Sequence, residues 1–526
     1  MATITVDGER YEVSEGRTVL QALDDLGVLM AGVEIPHYCW HPKLSIDGSC
    51  RLCQVEVEGV PKLQIACDTR VRDGMVIDTK SERVRRAREG VMELLLVNHP
   101  LDCPICDQAG ECKLQDYAFA YGVGHSRSRE ARRPAKKRVE LGPTIVFDQE
   151  RCILCRRCVR FCREVPGSGE LGVFARGDDS MIETFPGAEL DNPYSMNVAD
   201  ICPVGALTTR DFRFKIRVWF LEDVPGLCTG CSNGCNVHLG VANNKVYRYV
   251  PRRNDAVNET WICDAGRLSY QQIGSADRLT QALVRGELGV LEQTPLPEAL
   301  DAAAGALRGV VDAHGAEAIG GVASAHASNE DLFVFRRFLQ ALGARSAAVA
   351  VPTGDSDEVL IKAEKAANAE GARALGFMGP TELVEALGSG ALRAVVVMGH
   401  DLVGSGAVEL AALAGLEVIV LLDTHRSELE RIAHVVLPTR HAAEKDASYT
   451  NHAGRVQRSF AAVEPAFEAR PDGELLSGLG VRLGLPGFDG RFDVAAISDA
   501  LAAEHPTFAG RALASLSEDG APGPEG

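Results

Sequence analysis

The 526-residue sequence predicts a multidomain α+β and α/β protein, with small sheet-and-helix domains first and a parallel, helix-covered sheet last. Three observations carry this. All 16 cysteines fall between Cys39 and Cys263, in short-spaced groups. The N-terminus alternates apolar and polar residues around Asp7-Gly8, the favoured pair for a tight hairpin turn. From about residue 274 onward, short apolar runs alternate with helical patterns, the mark of a mainly parallel sheet covered on both faces.

Length alone asks for more than one core, roughly three to five domains. No apolar run is long enough for a membrane span, and the N-terminus does not have the pattern of a secretory leader. The expectation is a cytoplasmic protein whose thiols stay reduced and free for metals. A net charge of -18 argues against a general nucleic-acid surface.

In chain order, ATITV and RYEV read as the first two strands and Thr18 to Leu26 as a helix stopped by Gly27. Cys39, Cys50, Cys53 and Cys67 follow, the last preceded by the extended LQIA. Four thiolates on loops of such a domain point to a [2Fe-2S] centre, although the spacing is wider than the plant-type one. Zinc stays open, but its usual paired knuckles fit the wide first gap badly. His37 and His41, beside Cys39, read as hydrogen-bonding loop residues.

Val84 to Val97 has helical periodicity, with arginines at 83, 85, 86 and 88 on its wet side and MELLLV toward a core. It ends at His99, and Cys103, Cys106 and Cys112 complete H-x3-C-x2-C-x5-C. Three thiolates need a fourth ligand, and a neutral imidazole can supply it. The alternative for His99 is capping of helix-end carbonyls. The basic run RSREARRPAKKR, 127–138, marks a boundary. It reads as a solvated connection, or as a segment docked on an acidic partner or on another domain of the chain.

Cys152, Cys155, Cys158 and Cys162 form C-x2-C-x2-C-x3-C, the bacterial ferredoxin run and the strongest signal present. The distant Cys-Pro that completes such a set is Cys202-Pro203. No second run lies between, so Cys152, Cys155, Cys158 and Cys202 are assigned to one [4Fe-4S] centre and Cys162 is left without a role. After the apolar KIRVWFLE, expected as a strand, Cys228, Cys231, Cys235 and Cys263 make a last set. Its spacing allows structural zinc or a [4Fe-4S] centre; three clusters upstream tip it toward iron. A centre ligated wholly by protein has no open position and exchanges single electrons, so four in one chain suggest a relay.

In the cysteine-free part the expected elements are strands 318–324, 346–351, 393–398 and 417–422, with helices 329–342 and 358–369. The glycines of GAEAIGG and MGHDLVGSG do not fit a dinucleotide fingerprint, and no phosphate-binding G-x-x-x-x-G-K-[ST] loop is present. His400, Asp401, Asp423 and His425 read as strand-end polar residues. The domains are accordingly drawn at 1–80, 81–140, 141–215, 216–272 and 273–514, with 515–526 as a disordered tail.

The order of the four sets, above all H-x3-C-x2-C-x5-C before the ferredoxin run, resembles the family of the large iron-sulfur subunit (the G or 75 kDa subunit) of proton-pumping NADH:quinone oxidoreductase, respiratory complex I. NETWICDAGRLSYQ, Asn258 to Gln271, is similar to that family too, and the stretch from Asp423, DTHRSELERIAHVVLPTRHAAEKDASYTNHAGRVQ, resembles a molybdopterin-enzyme core. The resemblance implies a ferredoxin-like β-grasp domain, a cluster domain ligated by one histidine and three cysteines, a ferredoxin-like [4Fe-4S] domain and a shortened molybdopterin-oxidoreductase-like region. It implies one [2Fe-2S] and three [4Fe-4S] clusters on the residues above, the last an off-path centre of some bacterial members. Neither FMN nor NAD is expected. Nor is molybdopterin: Cys263 is followed by Asp264-Ala265-Gly266 rather than by the Lys-Gly of active relatives, and no later cysteine could hold the metal. The implied partners are a flavoprotein NADH-oxidising subunit, a small [2Fe-2S] subunit, quinone-side hydrophilic iron-sulfur subunits and, indirectly, a membrane arm, with no nucleic acid. The implied place is a peripheral arm on the cytoplasmic side of the cell membrane. The front third is shared with hydrogenases and formate dehydrogenases, so a soluble NAD-linked or bifurcating complex is the alternative, and a zinc-stapled scaffold the non-redox one.

Overall fold

The computed structural model describes residues 1–399, 402, 403, 406, 408–465 and 467–523. His400 and Asp401 lie outside the described residues. The chain forms two compact units, Met1–Leu221 and Glu222–Gly526. Both are mixed α/β.

The first unit begins with the strands Ala2–Val6 and Glu9–Val13, paired antiparallel across the Asp7-Gly8 turn. Asp7 and Gly8 both have positive φ, which an aspartate-glycine pair tolerates best. Ala2, Ile4 and Val6 point inward, and the sheet grows to five strands by parallel addition of Met75–Asp78 and then Gln54–Val57 and Gln64–Ile65. The helix Val19–Asp25, closed by a Thr18/Gln21 capping box, buries Val19, Leu20 and Leu23 against this sheet. Helix and sheet together hold the long loop from 26 to 53 that carries the first cysteines.

The helix Glu82–Asn98 turns Val84, Arg88 and Met92 inward at four-residue spacing. Arg88 therefore departs from the expected wet side. Its guanidinium donates to Gln54 O at 3.2 Å and Tyr121 Oη at 3.2 Å. Of MELLLV only Met92 is fully buried, and Leu94 is exposed. The basic run lies along acidic residues of the same unit. Arg127 pairs with Glu93, Arg133 with Asp179 at 2.7 Å, and Lys137 with Glu150 at 2.7 Å. Beyond it the helix Arg157–Glu164 and a three-stranded sheet of Leu207–Thr209, Ile145–Phe147 and Val139–Glu140 frame the ferredoxin run.

The second unit opens with a three-stranded antiparallel sheet, Glu222–Leu227, Asn236–Ala242 and Lys245–Pro251. The expected strand at KIRVWFLE is instead a 3-10 turn over Val218–Phe220, whose Trp219 and Phe220 are exposed, and the strand starts only at Glu222. The unit also holds a seven-stranded sheet in the order Leu291–Gln293, Leu283–Arg285, Val435–Pro438, Val418–Asp423, Ala394–Met398, Ile319–Ser324, Ser346–Ala350. The last five are parallel. Their near-continuous apolar runs are what a sheet covered on both faces requires.

The helix Asn329–Leu342 is present, but 358–369 is not helical, and the helix there is Ala369–Ala374. Asp357 Oδ1 accepts from the amides of Val359, Leu360 and Ile361 at 2.9–3.0 Å, a local turn that competes with helix nucleation, and Thr353 bridges Glu364. The C-terminal residues through 523 are ordered rather than forming a free tail. Val456 and Ala521 exchange backbone hydrogen bonds of 2.9 and 2.8 Å, Leu516 is buried, and Arg252 pairs with Asp519 at 3.0 Å. Edge pairing satisfies backbone that its glycine-rich composition alone would leave to solvent. Among the described residues no helix is long and apolar enough to cross a membrane.

Candidate metal centres

All 16 cysteines are free thiols, and most are buried. In the first set the sulfur of Cys39 is in hydrogen-bond contact with those of Cys50 and Cys67, and Cys53 with Cys67. These contacts hold Cys39 and Cys53 below the ordinary thiol range and push Cys50 and Cys67 above it. Arg51, between two of the cysteines, has φ +58° and turns the loop around them. His37 Nδ1 donates to Ile35 O at 2.9 Å, and His41 Nδ1 accepts from the Lys43 amide, both as loop residues.

In the second set Cys106 and Cys112 are buried and Cys103 is exposed. Burial raises Cys106 and Cys112, which also feel Cys103. His99 ends its helix without capping it. Its Nδ1 is buried with no hydrogen-bond partner, and burial lowers its pKa to about 4, so the ring is neutral at ordinary pH. Asp102 and Arg151, paired at 2.6 Å, are neighbours of both His99 and Cys106. A neutral ring with an orphaned buried nitrogen suits a ligand better than a carbonyl cap.

In the third set, Leu154 and Arg156 have φ of +53° and +58° on either side of Cys155. Such left-handed residues cost backbone energy and turn amides inward, making the anion-binding nest common around iron-sulfur sites. The Leu154 amide points at Cys152 Sγ, 3.4 Å away. Burial pushes up the thiols of Cys152, Cys155, Cys158 and Cys202, the last to about 12. Cys162 is fully buried on the same helix; burial and then the Glu170 carboxylate raise it.

The third set touches both others within the first unit. Arg160 donates to Cys39 O and to Cys155 O, the latter at 3.5 Å. On its other side the turn after Cys202 packs on the second set. A Cβ on Gly205 would come 2.3 Å from Cys106 Sγ, and Pro203 O is 3.9 Å from Cys112 Sγ. Nothing in the sequence flags Gly205 or Arg160, whose partners are remote along the chain.

In the second unit Cys228, Cys231, Cys235 and Cys263 lie near enough to one another, beside the three-stranded sheet and the following helix, for each to raise its neighbours. Gly266 lies against two of them, where a Cβ would be 2.8 Å from Cys228 Sγ and 3.2 Å from Cys263 Sγ. The Gly266 amide donates to Cys263 Sγ at 3.3 Å and Asn233 Nδ2 to Cys235 Sγ at 3.1 Å. Burial raises Cys228 to about 12. Among the described residues no three His, Cys, Asp or Glu side chains converge on a position for one ion.

Beside this set is a cavity of about 550 Å³ at the carboxyl ends of the parallel strands, lined in part by Ser324, His326, Asp423, His425, Lys445 and Tyr449. Asp423 and His425 line this cavity from the strand end, and each is held locally. Asp423 Oδ1 accepts from the Thr424 amide, and His425 bonds Thr424 and Gln272 O. His326, His441 and the buried Lys445 between Asp331 and Asp472 carried no signal in the sequence.

Buried thiols in four groups, loops bent into amide nests and a polar α/β domain define a multi-centre iron-sulfur protein with a molybdopterin-oxidoreductase-type region. Family models agree in order: a 2Fe-2S iron-sulfur cluster binding domain over 1–82, the NADH-ubiquinone oxidoreductase-G iron-sulfur binding region over 88–127, and the ferredoxin-like domain of NADH-quinone oxidoreductase subunit 3 over 142–208. A molybdopterin oxidoreductase Fe4S4 domain matches 221–275 and molybdopterin oxidoreductase 353–481. The chain is a homologue of the G subunit of NADH-quinone oxidoreductase. It is 42% identical to that protein of Rickettsia bellii over 65% of this chain and 49% of the relative. For Streptomyces coelicolor the figures are 38%, 68% and 40%, and for the 78 kDa mitochondrial NADH-ubiquinone oxidoreductase subunit of Neurospora crassa 41%, 67% and 46%. The chain spans about half the length of these relatives or less. Two solved structures, an NAD+-reducing [NiFe]-hydrogenase (32% identity, 41% of this chain and 91% of that one) and an acetylene hydratase from Pelobacter acetylenicus (12%, 54% and 72%), overlap it with TM-scores of only 0.35 and 0.42.

Proposed function

We propose that this chain is the electron-relay subunit of an NADH:quinone oxidoreductase. In this reading Cys39, Cys50, Cys53 and Cys67 hold a [2Fe-2S] cluster. His99 with Cys103, Cys106 and Cys112, then Cys152, Cys155, Cys158 and Cys202, and finally Cys228, Cys231, Cys235 and Cys263 hold [4Fe-4S] clusters. Such clusters, when bound, supply one-electron exchange and nothing that needs an open coordination site. The protein's part is to fix their separation, keep water from them and donate amide hydrogen bonds to sulfur, which tunes potential.

The observation that carries the reading is contiguity. The Cys152 set meets the Cys39 loop through Arg160 and the Cys106 and Cys112 sulfurs through the turn at Pro203-Gly205. Three centres so arranged form a path rather than three separate staples. The Cys228 set lies in the other unit and is assigned an off-path role. No pterin, FMN or NAD is assigned to this chain, and no substrate site.

The electrons come from a flavoprotein NADH-oxidising subunit with its small [2Fe-2S] companion and leave toward quinone-side hydrophilic subunits, on the cytoplasmic face of a membrane arm. The test is affinity isolation of the intact assembly under anaerobic conditions. Co-isolation of a flavoprotein and membrane subunits supports the reading. A hydrogenase or formate dehydrogenase catalytic subunit in their place would assign the relay to a soluble NAD-linked complex instead.

A further inference from the structure

Of the three arginines on the helix Arg157–Glu164, Arg157 and Arg160, three residues apart and hence on one face, each reach the loops of two cysteine sets at once. Arg157 donates to Trp40 O at 2.5 Å and Ile201 O at 3.1 Å, the residues next to Cys39 and Cys202. Arg160 donates to Cys39 O, Ser45 O and Cys155 O. Each fork therefore ties the first set's loop to the third set's.

Among the described residues neither guanidinium makes an ion pair, although the Glu164 carboxylate lies near enough to feel Arg160, and both Nε atoms are buried without a partner. Cations this far removed from water and without an ion pair are costly unless something else carries negative charge nearby. In the cluster assignment above, that charge would be the ligated sulfurs of the two sets.

We propose that Arg157 and Arg160 are positioning residues that bridge the Cys39 and Cys152 sets and serve as their shared counter-charge, holding both centres at raised potential. This rests on the cluster assignment above. Positive charge held beside a centre favours its reduced form, and it acts strongly where water is excluded.

The test is an EPR-monitored dithionite titration of the anaerobically isolated complex carrying Arg160→Gln, Arg160→Lys or, as a surface control on the same helix, Arg163→Gln. In Arg160→Gln the reduced-to-oxidised ratio of both centres at a fixed poise should fall about tenfold or more, equivalent to about 59 mV for a one-electron couple. The His99 centre and the Arg163→Gln protein should move much less. Arg160→Lys keeps the charge but not the fork: its ratios should stay near wild type while spin-spin broadening between the two centres weakens. Ratios within twofold of wild type in an Arg160→Gln protein with full iron, or a shift no larger than in Arg163→Gln, overturn the proposal. If Arg160→Gln does not assemble, unchanged broadening in Arg160→Lys overturns it. Absence of iron from the wild-type complex would instead sink the cluster assignment itself.

Discussion

Replacing Gly205 by alanine tests the contact between the second and third sets with a single methyl group. Gly205 does not have positive φ, so alanine suits its backbone. The strain comes from space alone: the new Cβ would be 2.3 Å from Cys106 Sγ and 3.0 Å from Gln108 Cβ. Ordinary contact is about 3.5–4.0 Å, so the sulfur must move by about an ångström or the turn after Cys202 must lift away. Overpacking of this size costs about 1–3 kcal/mol, a loss of roughly 2–12 °C in melting temperature for a unit of this length. Gly230→Ala is the matched control, because its Cβ would meet only Cys228 Sγ at 3.6 Å, an ordinary contact. Melting followed by circular dichroism, with EPR of the reduced protein, reads both effects. Gly205→Ala should melt lower and alter the signal of the His99 centre, leaving the [2Fe-2S] signal intact. Wild-type melting and spectra in Gly205→Ala would refute the packing argument.

Lys445→Met should destabilise the second unit by about 3–5 kcal/mol in chemical denaturation, because it strands Asp331 and Asp472, buried beside Lys445 at 2.6 and 3.0 Å. A loss below about 1 kcal/mol would mean the triad is not charged. His441 is held neutral by burial and by Arg278, its pKa lowered to about 3. The unfolded chain binds that proton near pH 6.5, so this residue's contribution to stability is complete above pH 6.5 and is lost as pH falls toward 3. His441→Asn, which can still cap the turn at Ala442–Glu444, should flatten the pH dependence of melting across that window; an unchanged slope would contradict it. His99→Ala should remove or convert the second centre's EPR signal and spare the first and third, while His99→Cys should retain a centre of lower potential, as a more negative ligand set requires.

What the sequence disclosed was what is local. Cysteine spacing is a matter of a few residues, so H-x3-C-x2-C-x5-C, the ferredoxin run and Cys202-Pro203 stand out as groups directly, and the hairpin at Asp7-Gly8 and the apolar strands of the parallel sheet are equally local. What stayed hidden depends on partners far along the chain. Arg157 and Arg160 give no sign of the Cys39 loop that is brought against them. Lys445 gives no sign of Asp331, and the basic run gives no sign of Glu93 or Asp179. Arg88 shows the same limit within one helix: its charge argued for solvent, but its position at four-residue spacing between Val84 and Met92 faced it inward, where Gln54 O and Tyr121 receive it. The C-terminal residues looked disordered because composition cannot report an open strand edge at Val456.

Iron, acid-labile sulfide and zinc measured on the anaerobically purified chain bear most directly on the claim that these thiols and one imidazole enclose electron carriers. The expected result is about 14 iron and 14 sulfide per chain with negligible zinc. Zinc near one atom per cysteine set, without sulfide, would contradict it.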